Sequence, residues 1–126
     1  HLHSKRIIHR DIKPLNVMID ENDNAVLIDM QSSRLMSDEK SRDTQYLGTV
    51  GYAAPEQYGI FQSMPATDIY ALGVMFNELL IGKHPSVEIP KGRLGKIVGK
   101  CTNINIPKRY QSVEALQRDL KKLYTA

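Results

Sequence analysis

The chain has 126 residues, enough for one domain with a sizeable buried core. Its 17 basic and 14 acidic residues leave a net charge of +3 without an Arg-rich stripe or interleaved aromatics, so nucleic acid is excluded as the expected partner. Cys101 is the only cysteine, which excludes a disulfide frame and a thiolate metal site and points to a reducing, cytoplasmic setting.

Residues 1–6 read as the end of a helix, with Lys5 and Arg6 suited to its C-terminal dipole. The chain opens on His1, not Met, and a fragment of a longer protein is expected. Ile7 and Ile8 lead into a polar loop, and Pro14 ends any helical option at Lys13. Val17-Met18-Ile19 and Ala25-Val26-Leu27-Ile28 are short β-type runs. The turn cluster Asp20-Glu21-Asn22-Asp23-Asn24 separates them, so a small hairpin is expected, with Asp29 directly after it. Residues 30–48 are polar and aperiodic and contain Ser32, Ser33, Ser37, Ser41 and Thr44. An irregular segment of that length in a small domain is usually functional or mobile.

Thr67 to Leu80 is the strongest helix: Thr67 as N-cap, Asp68 in the first turn, Gly82 just past the end. Its apolar residues fall on nearly every face, which belongs in the middle of a core. Asn77 and Glu78 interrupt the run from Ile69 to Ile81, which is too short and polar to span a bilayer. Gly73 costs about 1 kcal/mol relative to Ala unless a close contact needs it. Gly92 to Lys100 is a weaker helix, with Leu94, Ile97, Val98 and Cys101 on one face and glycines that count against it. Ser112 caps a last amphipathic helix that buries Val113, Leu116, Leu120 and Leu123.

The chemistry lies in the first loop, where Asp11, Lys13 and Asn16 stand two and three apart. A carboxylate can orient a hydroxyl and accept its proton. An ammonium can offset charge on a moving phosphoryl group, and an amide oxygen can hold a metal ion that also touches phosphate. Any one of these residues alone would read as part of a polar turn.

Together, His9-Arg10-Asp11-Ile12-Lys13-Pro14-Leu15-Asn16 matches the pattern H-R-D-x-K-x-x-N at every fixed position. Asp29 follows the hairpin where D-F-G would stand. Gly48-Thr49-Val50-Gly51-Tyr52-Ala53-Ala54-Pro55-Glu56 is similar to G-T-x-x-Y-x-A-P-E. Asp68-Ile69-Tyr70-Ala71-Leu72-Gly73 is similar to D-x-W-x-x-G, with Tyr70 in the Trp place. In order and spacing the chain resembles the C-terminal lobe of a eukaryotic-like serine/threonine protein kinase of bacterial type.

That resemblance implies a mainly α C-lobe of an α+β protein-kinase-like fold, with a small β-hairpin and helices packed around a central buried helix. It divides the chain into a catalytic loop (7–16), a metal-binding hairpin (17–29), an activation segment (29–56), a central helix (67–81) and C-terminal helices (93–124). It implies ATP and Mg2+ as cofactors and a protein as substrate. Asp11 would be the catalytic base, Lys13 would contact the γ-phosphate, and Asn16 and Asp29 would hold magnesium. Thr49 would bond near Asp11 and Lys13 and help select Ser or Thr; His9 would be a scaffold residue. A phosphate on Thr44 or Ser41 would pair with Arg10. Glu56 would pair with Arg109, and Asp68 would accept hydrogen bonds from the backbone near His9 and Arg10.

Two departures stand out. The D-F-G place reads Asp29-Met30-Gln31, and Gln31 replaces a glycine suited to unusual backbone angles, so it is expected to restrict movement of that segment. The N-terminal ATP-binding lobe is missing: no G-x-G-x-x-G loop and no V-A-I-K lysine is found. The isolated fragment is therefore expected to be inactive, with an apolar face left exposed that favours self-association. A pseudokinase lobe acting as a binding or regulatory module is the alternative, and a small-molecule phosphotransferase of related fold is a third class.

Overall fold

Among the described residues the regular elements are strands β1 (Ile7–Ile8), β2 (Val17–Ile19), β3 (Ala25–Leu27) and β4 (Arg34–Leu35), then helices α1 (Pro65–Ile81), α2 (Gly92–Cys101) and α3 (Val113–Tyr124). Single 3-10 turns occupy His3–Lys5, Pro14–Asn16, Pro55–Tyr58 and Ile106–Lys108. The structure is a computed structural model that describes residues 1–36, 49–58 and 63–125. Ser41 and Thr44 lie outside the described residues.

Helix α1 begins two residues before the expected Thr67, because Pro65 takes the first helical position, where its missing N–H costs nothing. Thr67 is therefore the third helical residue and not the N-cap. Its Oγ1 accepts from the Met64 N–H at 3.1 Å and donates to Glu56 Oε1 at 3.1 Å. The helix stops at Gly82, whose φ of 69° is left-handed and whose N–H reaches the Glu78 carbonyl.

Both hydrophobic clusters rest on α1. Ile69 packs with Ile97 and Cys101 of α2, Leu116 of α3 and Tyr110 of the segment between them. Ala71 and Met75 pack with Ile12 of the first loop. Leu72 and Phe76 border both clusters, so the helix is a shared wall between the loop and α2–α3. The expectation of an apolar core helix on every face fails at its end, where Leu79 and Leu80 are 67% and 53% exposed. Asn77, polar inside this helix, is fully buried and donates to the Lys83 and Glu88 carbonyls at 2.6 and 2.8 Å, which pins the following loop. Burial pushes the Cys101 thiol up to about 12, so it serves as a neutral packing group.

The glycines of this region are contact positions. A Cβ at Gly73 would stand 2.4 Å from Cys101 Cβ, which accounts for glycine inside α1. A Cβ at Gly95 would stand 1.8 Å from the Pro90 carbonyl oxygen. These glycines let the backbones of α1, α2 and the preceding loop approach one another.

Strands β2 and β3 form the expected antiparallel hairpin, with Val17 opposite Leu27 and Ile19 opposite Ala25. Asp20 fastens its turn by accepting from the Asn22 and Asn24 N–H groups at 2.8 and 2.9 Å. A second ladder pairs Ile7 with Leu35 and Ile8 with Arg34. Strand β4 lies in a segment whose sequence carries no period, and two residues are too few to show one.

The turn at Pro55–Tyr58 is tied to the base of α3 by a buried ion pair. Arg109 Nη1 lies 2.6 Å from Glu56 Oε1, with the two side chains 0% and 1% exposed. Arg109 also donates to the Ala66 and Asn103 carbonyls, at 2.8 and 3.0 Å, and its guanidinium lies 5.1 Å from the centre of the Tyr70 ring. These partners satisfy both charges in the interior.

Arg109→Ala would leave Glu56 buried without its cation and should cost about 3–5 kcal/mol; an unchanged urea midpoint would contradict the role given to the pair. Gly95→Ala should also destabilise, opposite in sign to the gain of about 1 kcal/mol that Ala brings at an open helix position. A rise in melting temperature for that variant would show that the Pro90 contact is not tight.

Candidate active site

The first loop is shaped by its backbone before its side chains. Arg10 has a left-handed φ of 70°, which a non-glycine residue adopts only when its surroundings hold it there. The holding group is Asp68 of α1, which is buried. Its Oδ2 and Oδ1 accept from the His9 and Arg10 N–H groups, each at 2.9 Å, and Oδ2 also accepts from His3 Nε2 at 2.8 Å. The His9 ring completes the frame. Its Nε2 faces the Ile28 carbonyl at 2.9 Å and must donate, while its Nδ1 accepts from the Asp11 N–H at 3.1 Å, so the tautomer is fixed.

This frame presents Asp11. Its Oδ1 accepts from Thr49 Oγ1 at 2.7 Å, and the same hydroxyl accepts from Lys13 Nζ at 2.8 Å. Lys13 Nζ lies 3.7 Å from Asp11 Oδ2. Asn16 Nδ2 donates to the Asp11 carbonyl at 2.7 Å and to Asp11 Oδ2 at 3.2 Å. Both neighbours of that amide end are oxygens, so the nitrogen must sit there and the amide oxygen is left as an acceptor or ligand. Asp11, Lys13, Asn16 and Thr49 therefore form one constellation.

Asp29 stands at the end of the hairpin, where the Ile28 N–H donates to the Asn16 carbonyl at 2.8 Å. This puts Asp29 next to the Asn16 backbone. Its Oδ1 accepts from the Gln31 N–H at 3.2 Å. The left-handed residue of this segment is Asp29, with φ 60°, and Gln31 does not share that conformation. The backbone objection raised by the missing glycine at 31 thus falls away in this arrangement. Asn16 and Asp29 offer oxygen ligands only, which suits a hard cation such as Mg2+. Among the described residues no cluster of three or more His, Cys, Asp or Glu could hold a metal. Mg2+ sites of this kind use one or two protein ligands and leave the rest to water and phosphate, so the pair fits such an ion.

Arg10 Nε donates to the Ser32 carbonyl at 2.7 Å. Burial lowers its pKa first, and the nearby Arg34 charge lowers it further, against an opposing pull from Asp68. The sequence did not single out Arg34, which the β1–β4 ladder sets opposite Ile8. Gln57 was also missed. It is buried, donates to the Arg10 carbonyl at 2.8 Å and accepts from the Ala54 N–H at 3.0 Å, so it joins the two segments that carry Arg10 and Thr49. Its signal was its place beside Glu56.

Tyr52 anchors the Thr49 segment to α1, because its hydroxyl donates to Glu78. Desolvation, then this bond, push the phenol pKa up to about 12 from 10.0. The neutral phenol is thus favoured in the folded state. Its stabilisation is complete below pH 10 and is lost as pH rises through about 12. The stability difference between the parent and Tyr52→Phe should shrink over that window in urea titrations; a constant difference would show that the bond contributes nothing.

Residues 1–125 match the family described as Protein kinase domain. The chain is 35% identical over 123 residues to the Aurora kinase of Candida glabrata, covering 98% of this chain and 32% of that protein. It is 31% identical over 150 aligned positions to the serine/threonine-protein kinase PrkC of Bacillus subtilis, covering all of this chain and 23% of that one. It is 43% identical over 88 residues to the leucine-rich repeat receptor-like serine/threonine/tyrosine-protein kinase SOBIR1 of Arabidopsis thaliana, covering 68% of this chain and 14% of that one. The chain thus spans between 14% and 32% of the length of these relatives. With a matching family over nearly its whole length and relatives in a plant, a yeast and a bacterium, the chain belongs to the protein kinase family.

Proposed function

We propose that the chain is the C-terminal lobe of an ATP-dependent serine/threonine protein kinase and carries the catalytic half of its site. The observation that supports this best is the Thr49 hydroxyl bonded to both Asp11 and Lys13. It sets a carboxylate and an ammonium around one hydroxyl, as acceptance of a Ser or Thr side chain requires.

In this reading Asp11 orients the substrate hydroxyl and takes its proton. Oδ1 is engaged by Thr49, so Oδ2, whose contacts at 3.2 and 3.7 Å are longer, is the oxygen that receives the substrate. Lys13 offsets negative charge beside it, and Thr49 holds Asp11 and Lys13 in register. Asn16 Oδ1 and Asp29 would hold Mg2+. When bound, ATP would supply the phosphoryl group and Mg2+ would offset the charge of its phosphates. Arg10 is the proposed partner of a phosphate on Thr44 or Ser41. A cytoplasmic location goes with this reading; among the described residues no helix is long and apolar enough to cross a membrane.

The pseudokinase alternative rested on Gln31, and the ordinary backbone there weakens it. The isolated chain is proposed to be inactive and to self-associate. An apolar cleft of about 490 Å3 beside Ile12, Leu72, Met75 and Phe76 supports the latter.

In the complete gene product, Asp11→Asn should reduce Mg2+-dependent autophosphorylation from labelled ATP at least about 100-fold, the lower end of what a positioned general base supplies. Equal labelling of parent and variant would overturn the assignment of Asp11.

A further inference from the structure

A second concave surface lies between α2 and α3, away from the loop that holds Asp11. It is a groove of about 580 Å3. Its floor includes Ile97 and Tyr110, 6% and 3% exposed, and Leu123 of α3 also lines it. Along one rim run Arg93, Lys96 and Lys100. Their spacing of three and four places them on one face of α2, in a row about 10 Å long. Lys122 stands on α3, paired with Asp119 at 2.8 Å.

The charges of this groove are unbalanced. Four cations line it against the single carboxylate of Asp119, which the Tyr110 hydroxyl also binds at 2.8 Å. Arg93 and Lys96 have no hydrogen bond or ion pair among the described residues. Lys100 lies 4.3 Å from the centre of the Tyr110 ring, which holds its ammonium over the apolar floor. The net charge of the whole chain is only +3, so this row concentrates the excess on one face.

We infer that the α2–α3 groove docks an acidic amphipathic helix of a partner protein, with carboxylates along the Arg93–Lys96–Lys100 row and apolar side chains on the floor. A row of cations at helical spacing complements carboxylates at helical spacing. The volume suits a few anchoring side chains of a helix laid in a groove. A lipid surface fits less well, because Ile97 and Tyr110 lie at the bottom of a concavity that a flat bilayer would not reach. The charge row would speed encounter and make binding salt-sensitive, while the floor would select an apolar anchor. Docking here goes beyond the kinase reading, and its test needs no phosphoryl transfer, so the two can fail separately.

The test measures fluorescence anisotropy of a labelled helical peptide with Glu at every fourth position and Leu on the adjoining face, added to the complete protein. Binding should weaken with added salt. It should fall roughly tenfold in the double variant R93E/K96E, whose sites are exposed. It should also fall in Leu123→Ser and for a peptide with Ser in place of Leu. Circular dichroism confirms that each variant is folded, and Arg93→Ala with Lys96→Ala replaces the charge reversal if that variant is not. No binding, or binding indifferent to the α2 substitutions, overturns the proposal. Equal binding of the Leu and Ser peptides would reveal a general polyanion surface and overturn it. So would phosphatidylserine vesicles that displace the peptide in an Arg93- and Lys96-dependent way, which would assign the row to a membrane.

Discussion

The Asp68 carboxylate is the constraint on which the site depends. It is an ionisable group near the start of a core helix, almost fully buried, and it is tolerated because three donors meet it: two backbone N–H groups and an imidazole. Those two N–H groups belong to consecutive residues. Accepting both holds the backbone at Arg10 in its left-handed turn, and that turn fixes where Asp11 begins. The same helix carries Ile69 against α2 and α3, and Ala71 and Met75 against Ile12. Core packing and the geometry of the candidate site are therefore set by one rigid element.

From that element the rest of the site is positioned by short links. His9 ties the loop to the end of the hairpin through Ile28, next to Asp29. Gln57 ties the Arg10 carbonyl to the segment of Thr49. Glu56, one residue earlier, is anchored by Arg109 and Thr67. Each link is a buried polar group, and loss of a partner would leave it unpaired, at a cost of about 1–3 kcal/mol for the neutral His9 and Gln57 links and about 3–5 kcal/mol for the charged Glu56–Arg109 pair. Such connections let loops hold polar side chains in place without regular structure of their own.

The sequence made legible whatever depends on residue type at fixed short spacing. The hairpin was readable because a polar turn cluster separates two short apolar runs that carry Val and Ile. The Ser112 cap was readable, and its Oγ accepts from the Ala115 N–H. The Asp11–Lys13–Asn16 set was readable because, with His9 and Arg10, it matches the pattern H-R-D-x-K-x-x-N at every fixed position. What was not legible depends on partners distant in sequence. Pro65 moved the start of α1 because the first turn does not need its N–H. Gly95 read as a helix breaker, yet it is required by the Pro90 carbonyl beside it. Strand β4 is defined only by its pairing with Ile7 and Ile8. Gln31 was judged by the glycine it replaces, whereas the unusual backbone angle falls on Asp29.

The measurement that tests this account most directly uses Asp68→Asn in the complete gene product. Asn keeps the shape but has one acceptor oxygen, so it cannot serve both N–H groups. Urea unfolding and Mg2+-dependent phosphoryl transfer from labelled ATP would be followed together, with phosphoamino acid analysis of the product. The variant should fold, and its transfer to Ser or Thr should fall by at least about tenfold, the loss expected when about 1.4 kcal/mol of positioning is removed. Undiminished transfer to Ser and Thr by a folded Asp68→Asn variant would contradict it.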